Sequence, residues 1–290
     1  MADVTAGITV AMVLIPQAMA YAELAGLPAV CGLYAAFLPP AVAALFGSSR
    51  QLATGTVATA ALISAAAVGP LAPVGSKAFV EYSLLLACMV GVIRLIMGVL
   101  KLGFLANLLS APVVVGFTNA AALIIATSQL HKVFGVRAER GDSHMHNVWR
   151  EVSNAPYEGH LPTVGMACLA GVLLVVLKRF FPRLPNVLIA VAITSLVAWF
   201  GGYKGSMVGA IPRGLPSLYA PSFDMHILID LMPGAMTLVL IGLMEVMAIA
   251  KTMAMQTRER IDLNQELIGQ GLANIVAGFS QSYTVSGSFS

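Results

Sequence analysis

Long apolar segments separated by short polar turns run through almost the whole chain. A helix that crosses a bilayer needs about 20 predominantly apolar residues. The pattern predicts nine helical segments and hence an all-α polytopic membrane protein. Two of the nine are short, and we expect the first of these to start inside the membrane after an extended lead-in. The longer segments are 5–24, 29–46, 78–100, 110–129, 162–181, 186–201 and 230–252, and the shorter ones are 57–69 and 265–279.

Composition agrees with a membrane protein. Of the 290 residues, 58% are hydrophobic and 10% are charged, and mean hydropathy is +0.87, whereas soluble domains carry about 25% charged residues. The formal net charge is only +3 and the charges are scattered, so we expect no nucleic-acid partner. The cysteines lie in apolar stretches and are expected to be free thiols rather than disulfides or metal ligands. They are Cys31, Cys88 and Cys168.

The loop charges predict the orientation, because cytoplasmic loops are enriched in Lys and Arg. With the N-terminus inside, the inner loops hold eight basic residues and the outer loops seven, four of them in the polar loop 130–161. Acidic residues balance the basic residues of loop 130–161, so this loop contributes little to the comparison. The basic residues of the short loops favour a cytoplasmic N-terminus. Arg94 falls inside a predicted helix, and we expect its side chain to reach toward the inner face.

Two stretches at opposite ends of the chain carry the same hydroxyl-Gly-hydroxyl turn after residues of β character. They are Thr54-Gly55-Thr56 and Ser286-Gly287-Ser288. Gln17 and Glu245 precede them at nearly the same spacing, so two features recur in order. With seven segments between the copies, this pattern predicts an inverted repeat whose site lies near the membrane midplane. The predicted divisions are a first repeat at 1–201, a connecting loop at 202–229 and the start of a second repeat at 230–290.

Each turn is expected to run into the N-terminus of a helix. Such an end has unpaired N–H groups and a partial positive charge. Two of them aimed at one point inside a membrane form an anion site without Lys or Arg. The alternative is that the Ser and Thr side chains only cap their helices. Capping and anion binding use the same groups, so the sequence leaves both open.

Glu245 is the strongest single candidate for a functional residue. It lies in an apolar segment, and no Lys or Arg lies within about one helical turn of it. Intramembrane carboxylates are costly and are functional candidates by default. Proton uptake by Glu245 would couple a proton to an anion, and a sodium site or a structural hydrogen bond are the alternatives. We also expect Asp230 to be the N-cap of this helix, and His144-Met145-His146 to lie in a solvated loop rather than a metal site.

Several motifs occur together along the chain. They are the stretch from Gly7 to Ala22 with Pro16-Gln17-Ala18, Gly26-Leu27-Pro28, Phe46-Gly47-Ser48-Ser49-Arg50, Glu245, Ala273-Asn274-Ile275 and 286–290. The set resembles the SulP family of anion transporters, relatives of prestin and pendrin. The resemblance implies fourteen segments in two inverted sevens, a core and a gate domain, and usually a STAS domain, which is absent from these residues. The second repeat would then be truncated here, after segments one to nine and the approach to ten. Thr56 departs from the family pattern, in which Pro often follows the Gly.

The resemblance also implies where a substrate binds. It places an anion between the N-termini of segments three and ten, with help from segment one. It further implies secondary-active transport of sulfate, bicarbonate or a dicarboxylate, coupled to H⁺ or Na⁺ without another cofactor, by a homodimer in the inner or plasma membrane. Carried onto this chain, the substrate-binding residues are Gln17, Tyr21, Thr56, Val57, Ala58, Ser288, Phe289 and Ser290, and the ion-coupling residue is Glu245.

Other functions stay open at this point. An anion exchanger or leak pathway would leave Glu245 with a structural role. A nucleobase permease of the same fold would use Gln17 and Glu245 to hydrogen-bond a planar base. A voltage-responsive element would move charge without substrate flux. A membrane enzyme is not expected, because the sequence offers no nucleophile–base pair and no cluster of metal ligands.

Overall fold

The computed structural model describes residues 2–49, 52–108, 111–136, 144–181, 184–205, 211, 214–257 and 261–288. Helices dominate these residues, and the two strands among them are three residues long. A turn of 3-10 helix covers Leu102–Leu108. The helices are α1 Ala2–Leu24, α2 Ala29–Ala35, α3 Leu38–Phe46, α4 Ala58–Val68, α5 Lys77–Val99, α6 Ala111–Ser128, α7 Leu130–Phe134, α8 His144–Glu158, α9 Leu161–Phe180, α10 Asn186–Phe200, α11 Met225–Thr257 and α12 Leu263–Phe279, and the strands are β1 Ala53–Gly55 and β2 Ser286–Ser288.

The nine predicted segments all correspond to helices, with one division. Segment 29–46 is split into α2 and α3, with a break at Ala36 and Phe37. Pro39 and Pro40 lie in the first turn of α3, where a missing N–H is tolerated, but they cannot donate to the carbonyls of a continuing helix. Two adjacent prolines therefore end α2 and start α3.

Two expectations about local structure are wrong. The helix that carries Glu245 begins at Met225, so Asp230 lies within α11 and is not its N-cap. The carboxylate of Asp224 instead accepts the N–H of His226 at 2.9 Å. Residues 144–146 begin the helix α8 rather than lying in a solvated loop. The periodicity of α8 is amphipathic, so a search for continuous apolar runs passes over it.

Five helical segments among the described residues are long and apolar enough to cross a bilayer. Two more apolar helices, α4 and α10, are shorter. A short apolar helix that follows an extended strand is the arrangement expected of a discontinuous membrane segment. The five segments are Gly7–Leu24, Ala29–Phe46, Lys77–Val99, Leu161–Phe180 and Met225–Val246.

The chain forms two compact units. The larger unit contains residues 17–118 and 210–290, and the smaller unit contains residues 1–16 and 119–209. Each unit is thus built from separate parts of the chain, as expected for the core and gate domains of an inverted-repeat transporter. The larger unit holds both strands and Glu245, so the candidate site belongs to it.

Close packing of α5 on α12 forms the centre of the larger unit. A Cβ at Gly91 on α5 would lie 2.8 Å from the carbonyl oxygen of Gly271 on α12, and a Cβ at Gly271 would lie 2.9 Å from that of Gly91. Backbones approach this closely only where both residues are small, which is a common way to pack membrane helices. This contact brings the polar side chains of the two helices into one buried cluster.

Candidate functional site

The two hydroxyl-Gly-hydroxyl stretches meet in the larger unit. β1 and β2 pair in antiparallel register, with Ala53 opposite Ser288, Thr54 opposite Gly287 and Gly55 opposite Ser286. The extended lead-ins predicted from sequence are therefore strands, and they pair although they lie near opposite ends of the chain. Because Gly55 faces Ser286, the chain leaves β1 for α4 beside the start of β2.

The N-terminus of α4 has no side-chain cap in the described part of the chain. Val57 occupies the N-cap position in an extended conformation, with φ −132° and ψ 138°, and has no acceptor to offer. The neighbouring Thr56 is 2% exposed, and its hydroxyl has no hydrogen-bond partner among the described residues. Capping by Thr56 is thus not observed. The N–H groups that start at Ala58 are left for another acceptor.

Glu245 lies where the start of α4 meets the start of β2. The hydroxyl of Thr59, in the first turn of α4, donates to Glu245 Oε1 at 2.5 Å. The Ser286 hydroxyl faces the same carboxylate but has no partner within hydrogen-bond distance among the described residues. The carboxylate therefore lies between the two repeat-related elements and is hydrogen-bonded to one of them, through Thr59 of α4.

Arg94 is a buried charged residue of the cluster, and sequence reasoning predicted another place for its side chain. Its side chain is 2% exposed and does not reach the inner face as predicted. Its guanidinium donates to Gln270 Oε1 at 3.1 Å, to the carbonyl of Val285 at 3.2 Å and to that of Leu238 at 3.0 Å. It also interacts electrostatically with Glu245. The carboxylate is therefore not the isolated charge that its own helix suggested.

Two amide side chains on α12 hold the approach to β2. Asn274 accepts the N–H of Val285 at 3.0 Å and donates to its carbonyl at 2.9 Å. Gln270 accepts from Arg94 and donates to Glu266. Because every backbone polar group of a buried strand end needs a partner, Asn274 fixes the residue just before β2. Asn274 was part of the family motif, but its role could not be deduced from sequence.

Glu266 on α12 plays the corresponding part for the approach to β1. Its side chain is 3% exposed. Its Oε2 accepts the backbone N–H groups of Ser48 at 3.1 Å and Ser49 at 3.3 Å. Gln265 adds a hydrogen bond to the carbonyl of Phe46 at 2.5 Å. One helix, α12, therefore positions the entries to both strands.

A small cavity of about 10 Å³ lies inside this cluster, which is room for about one water molecule. Arg94, Glu245, Thr284 and Ser286 contribute its polar lining. The Nε of Arg94 and the hydroxyls of Thr284 and Ser286 lack hydrogen-bond partners among the described residues. Buried donors rarely stay unpaired, so this polar void is suited to a small polar species.

Of the remaining predicted substrate-binding residues, the structure describes Gln17, Tyr21 and Ser288. Gln17 and Tyr21 lie one turn apart on α1, and the Gln17 amide donates to the Tyr21 hydroxyl at 3.1 Å. Tyr21 also packs against the hydrophobic core of the larger unit. Ser288 is the last residue of β2. Phe289 and Ser290 lie outside the described residues.

Helices that span a bilayer several times, with two strand–helix elements from distant parts of the chain paired inside one unit, define an inverted-repeat membrane transporter domain. This is the seven-plus-seven fold predicted from sequence. The chain belongs to the Sulfate permease family, whose family model matches residues 1–290.

Two curated relatives support this assignment. The chain is 38% identical over 298 residues to sulfate transporter 4.1, chloroplastic, of Arabidopsis thaliana, covering 99% of this chain and 43% of the relative. It is 39% identical over 293 residues to the probable sulfate transporter Rv1739c of Mycobacterium tuberculosis (strain H37Rv), covering 99% and 52%. The chain thus spans about half the length of these curated relatives.

A solved structure has the same fold. The murine solute carrier 26 family member A9 anion transporter, in its inward-facing state, superposes with a TM-score of 0.89 at 27% identity. The match covers 99% of this chain and 51% of the murine one. The chain is therefore an integral, multi-pass membrane protein with the fold of the solute carrier 26 transmembrane domain.

Proposed function

We propose that this chain forms the substrate-binding part of a secondary-active anion transporter, with sulfate as the first substrate to test. The observation that carries the proposal is the pairing of β1 with β2 beside the uncapped N-terminus of α4. An uncapped helix start presents N–H donors and a partial positive charge to an anion. The names of the relatives favour sulfate over bicarbonate or a dicarboxylate.

Each predicted site residue then has a distinct role. The N–H groups at Val57 and Ala58 donate to the oxyanion, and the Thr56 hydroxyl adds a donor from the same turn. Ser288, Phe289 and Ser290 act in the same way from the second repeat, with Phe289 as an apolar wall. Gln17 and Tyr21 complete the site from α1.

The donor character of these groups favours an anion over a nucleobase. A planar base needs acceptors as well as donors at its edge, whereas a helix start offers only N–H groups. The carboxylate of Glu245 lies at the start of α4, but it already accepts from the Thr59 hydroxyl and interacts electrostatically with Arg94. A nucleobase permease, in which Gln17 and Glu245 would bind such an edge, is the alternative.

Glu245 is proposed as the coupling residue. When its carboxylate takes up a proton, the site gains one positive charge and accepts an anion more readily. Exchange without coupling, with Glu245 in a structural role, is the alternative mechanism. We further propose a homodimer in the inner or plasma membrane with a cytoplasmic N-terminus.

The test is uptake by the protein in proteoliposomes. Labelled sulfate, bicarbonate and fumarate are offered with an inward proton gradient, an inward sodium gradient or neither. We expect sulfate to be concentrated only with a gradient, and Glu245→Gln to lose concentration but keep exchange. Uptake of labelled uracil or xanthine that sulfate does not block would instead support the nucleobase permease.

A hydroxyl deletion tests the binding site itself. Thr56→Val removes a hydroxyl donor that has no partner among the described residues. It should weaken sulfate binding roughly 10- to 100-fold, since a hydrogen bond to a charged group contributes roughly 1.5–3 kcal/mol. Thr237→Val is the matched control, because its exposed hydroxyl bonds only to the carbonyl of Pro233 among the partners described. Equal sulfate affinity in the two variants would contradict the proposed site.

A further inference from the structure

A second pocket lies in the smaller unit, where the start of α9 meets the end of α10. Its volume is about 340 Å³, which is large enough for a small ligand. The lining combines polar and apolar side chains. The polar residues are His160, Tyr203 and Lys204, and the apolar ones include Pro162, Met166 and Val197.

The polar lining residues lie just outside the two helices. His160 is the N-cap residue of α9, and Tyr203 and Lys204 follow α10, which ends at Phe200. The apolar lining comes from within the helices, from the first two turns of α9 and the last turn of α10. The pocket therefore joins the polar ends of two apolar helices to their outermost apolar turns.

A chain of hydrogen bonds fixes two of the polar residues. His160 Nδ1 and the Tyr203 hydroxyl oxygen each lie 2.8 Å from the hydroxyl oxygen of Thr163, and the two rings meet edge to face at 6.2 Å between centroids. A Thr163 proton given to His160 leaves the Nε2–H of a neutral ring for another acceptor, and one given to Tyr203 leaves the phenol O–H. Either direction of the chain provides a donor at one end.

Lys204 adds a positive charge to these donors. Its side chain is exposed, and it forms no ion pair with a described residue. No acidic residue is among those that line the pocket. Glu158, two residues before His160, is exposed and is not part of the lining. A cation and hydrogen-bond donors without a carboxylate are suited to an oxyanion.

Exposed apolar side chains around the pocket indicate that it lies at the membrane surface. Trp199 and Phe200, in the last turn of α10, are 84% and 83% exposed, and Leu161 at the start of α9 is 82% exposed. Tryptophan is enriched at the ends of membrane-spanning segments, where the headgroups lie. Lipid headgroups are therefore the nearest phosphate groups to this pocket.

Helix α8, which ends two residues before His160, supports the same position. Met145, Trp149 and Val152 are exposed at the spacing i, i+4 and i+7, so they form one apolar face. Glu151 is buried on another face of the helix, where it lies 3.8 Å from His131 of α7. A helix with one exposed apolar face is typical of an element that lies in the plane of the interface.

We propose that this pocket binds the headgroup of an anionic phospholipid from the surrounding bilayer. Lys204 and the donor end of the His160–Thr163–Tyr203 chain bind the phosphate, and the first part of an acyl chain lies along Met166. A free phosphate would use the polar residues alone and would leave the apolar lining without a partner. The lipid site lies in the smaller unit and is independent of the proposed sulfate site.

The first test maps photochemical cross-links from a lipid probe. The purified protein is placed in phosphatidylcholine vesicles with a little phosphatidylglycerol that carries a diazirine near the start of one acyl chain, and mass spectrometry identifies the labelled peptides. We expect label on the peptides that contain Met166 and Val197. The same diazirine on phosphatidylcholine should label them about fivefold less, since one basic side chain contributes about 1 kcal/mol toward an anionic lipid.

Variants at position 204 test the charge. Lys204→Gln should reduce labelling by phosphatidylglycerol about fivefold, and Lys204→Arg should retain it. Lys178→Gln is the matched control, because it removes an exposed cation from the opposite end of α9 and should leave labelling of the pocket unchanged. Equal labelling by the two lipids, or no effect of Lys204→Gln, would refute the lipid site.

The hydrogen-bonded chain is tested by Thr163→Val, which removes the hydroxyl shared by His160 and Tyr203. We expect labelling to fall roughly two- to tenfold, as expected for the loss of one hydrogen bond. Thr194→Val is the control, because its hydroxyl donates to the carbonyls of Ala190 and Val191 in its own helix. Equal labelling of the two variants would contradict a role for the chain.

Competition separates a lipid from a free anion. Unlabelled phosphatidylglycerol should reduce labelling of the pocket, whereas sodium phosphate should not, compared with sodium chloride at equal ionic strength. Loss of labelling in sodium phosphate would show a site for a free oxyanion and would overturn the proposal. Label on the α8 peptide that contains Trp149, without label on the pocket peptides, would show that another part of the protein covers the pocket, and would overturn it too.

Discussion

Arg94 on α5 and Gly242 on α11 touch so closely that no side chain fits at position 242. A Cβ placed there would lie 1.7 Å from Arg94 Nη2 and 3.1 Å from the Ser286 hydroxyl oxygen. The glycine is therefore what allows a guanidinium to lie between α11 and the approach to β2. The buried position of Arg94 on α5 therefore depends on the absence of a side chain at Gly242 on α11.

Gly242→Ala is expected to displace the guanidinium. The variant should lower the free energy of unfolding by roughly 1–3 kcal/mol, because a displaced guanidinium loses its buried hydrogen bonds to the carbonyls of Val285 and Leu238. The measurement is Tm of the purified protein by differential scanning fluorimetry.

Gly171→Ala is the matched control for that variant. It lies in α9, and a Cβ there would meet no described atom within 4 Å. Because alanine favours helix by about 0.5–1 kcal/mol over glycine, its Tm should stay equal or rise slightly. Equal Tm values for Gly242→Ala and Gly171→Ala would contradict the contact.

The β1–β2 register predicts a disulfide. Thr54 faces Gly287, and facing residues of an antiparallel pair lie about 4.5–5.5 Å apart at Cα, within the range that a disulfide spans. Thr54→Cys with Gly287→Cys, in a background without the three free native cysteines, should cross-link on mild oxidation. Mass spectrometry of the linked peptides provides the measurement.

An out-of-register pair tests the specificity of that cross-link. Ala53→Cys with Ser286→Cys joins residues that do not face each other in this ladder, and we expect a clearly lower yield. A higher yield for this pair would show that the strands pair in another register.

Glu266→Gln should destabilise the approach to β1. If the new amide oxygen keeps the N–H groups of Ser48 and Ser49, its NH₂ group faces the Gln270 NH₂, which donates to Glu266 in the wild type. Two donors facing each other in a buried site leave one unpaired, at a cost of about 1–3 kcal/mol. Tm should fall accordingly, whereas exposed Glu158→Gln should leave it unchanged.

The hydrogen bond between Tyr219 and Glu81 predicts that stability changes at high pH. Its hydroxyl donates to Glu81 Oε1 at 2.8 Å, and this hydrogen bond, with the nearby negative charge, raises the pKa of Tyr219 above its ordinary value. A raised folded-state pKa gives stability that is complete below about pH 10, the unfolded value, and is lost as pH rises through the folded value. The Tm advantage of wild type over Tyr219→Phe should therefore be constant below about pH 10 and shrink as pH rises above it.

Sequence reasoning located the helices and both strands well. Apolar runs give helix positions directly. The repeated turn at Thr54-Gly55-Thr56 and Ser286-Gly287-Ser288 predicted two extended segments, but their pairing appears only in the structure. Arg94 was misplaced because a charge inside an apolar helix is paired through the fold, with partners from α11, α12 and the approach to β2. No periodicity along α5 contains that information.

The same limit explains the smaller errors. The roles of Asn274 and Glu266 depend on which backbone groups lie opposite them, and these belong to segments far away in the chain. Helix α8 was missed because its apolar positions are interrupted by polar ones, and Met145 and Trp149 remain exposed. Spacing along the sequence identifies an element, whereas its partners follow only from tertiary packing.

The pairing of β1 with β2 also has a consequence for biogenesis. β1 is synthesised early and β2 only near the end of this stretch, so the ribosome must translate α4 to α12 before the ladder can close. Until then the edge of β1 has backbone groups without their final partners, which is unfavourable in a bilayer. The nascent protein therefore needs water, lipid headgroups or an insertion factor to shelter that edge, and a translation stall before β2 would leave an intermediate open to quality control.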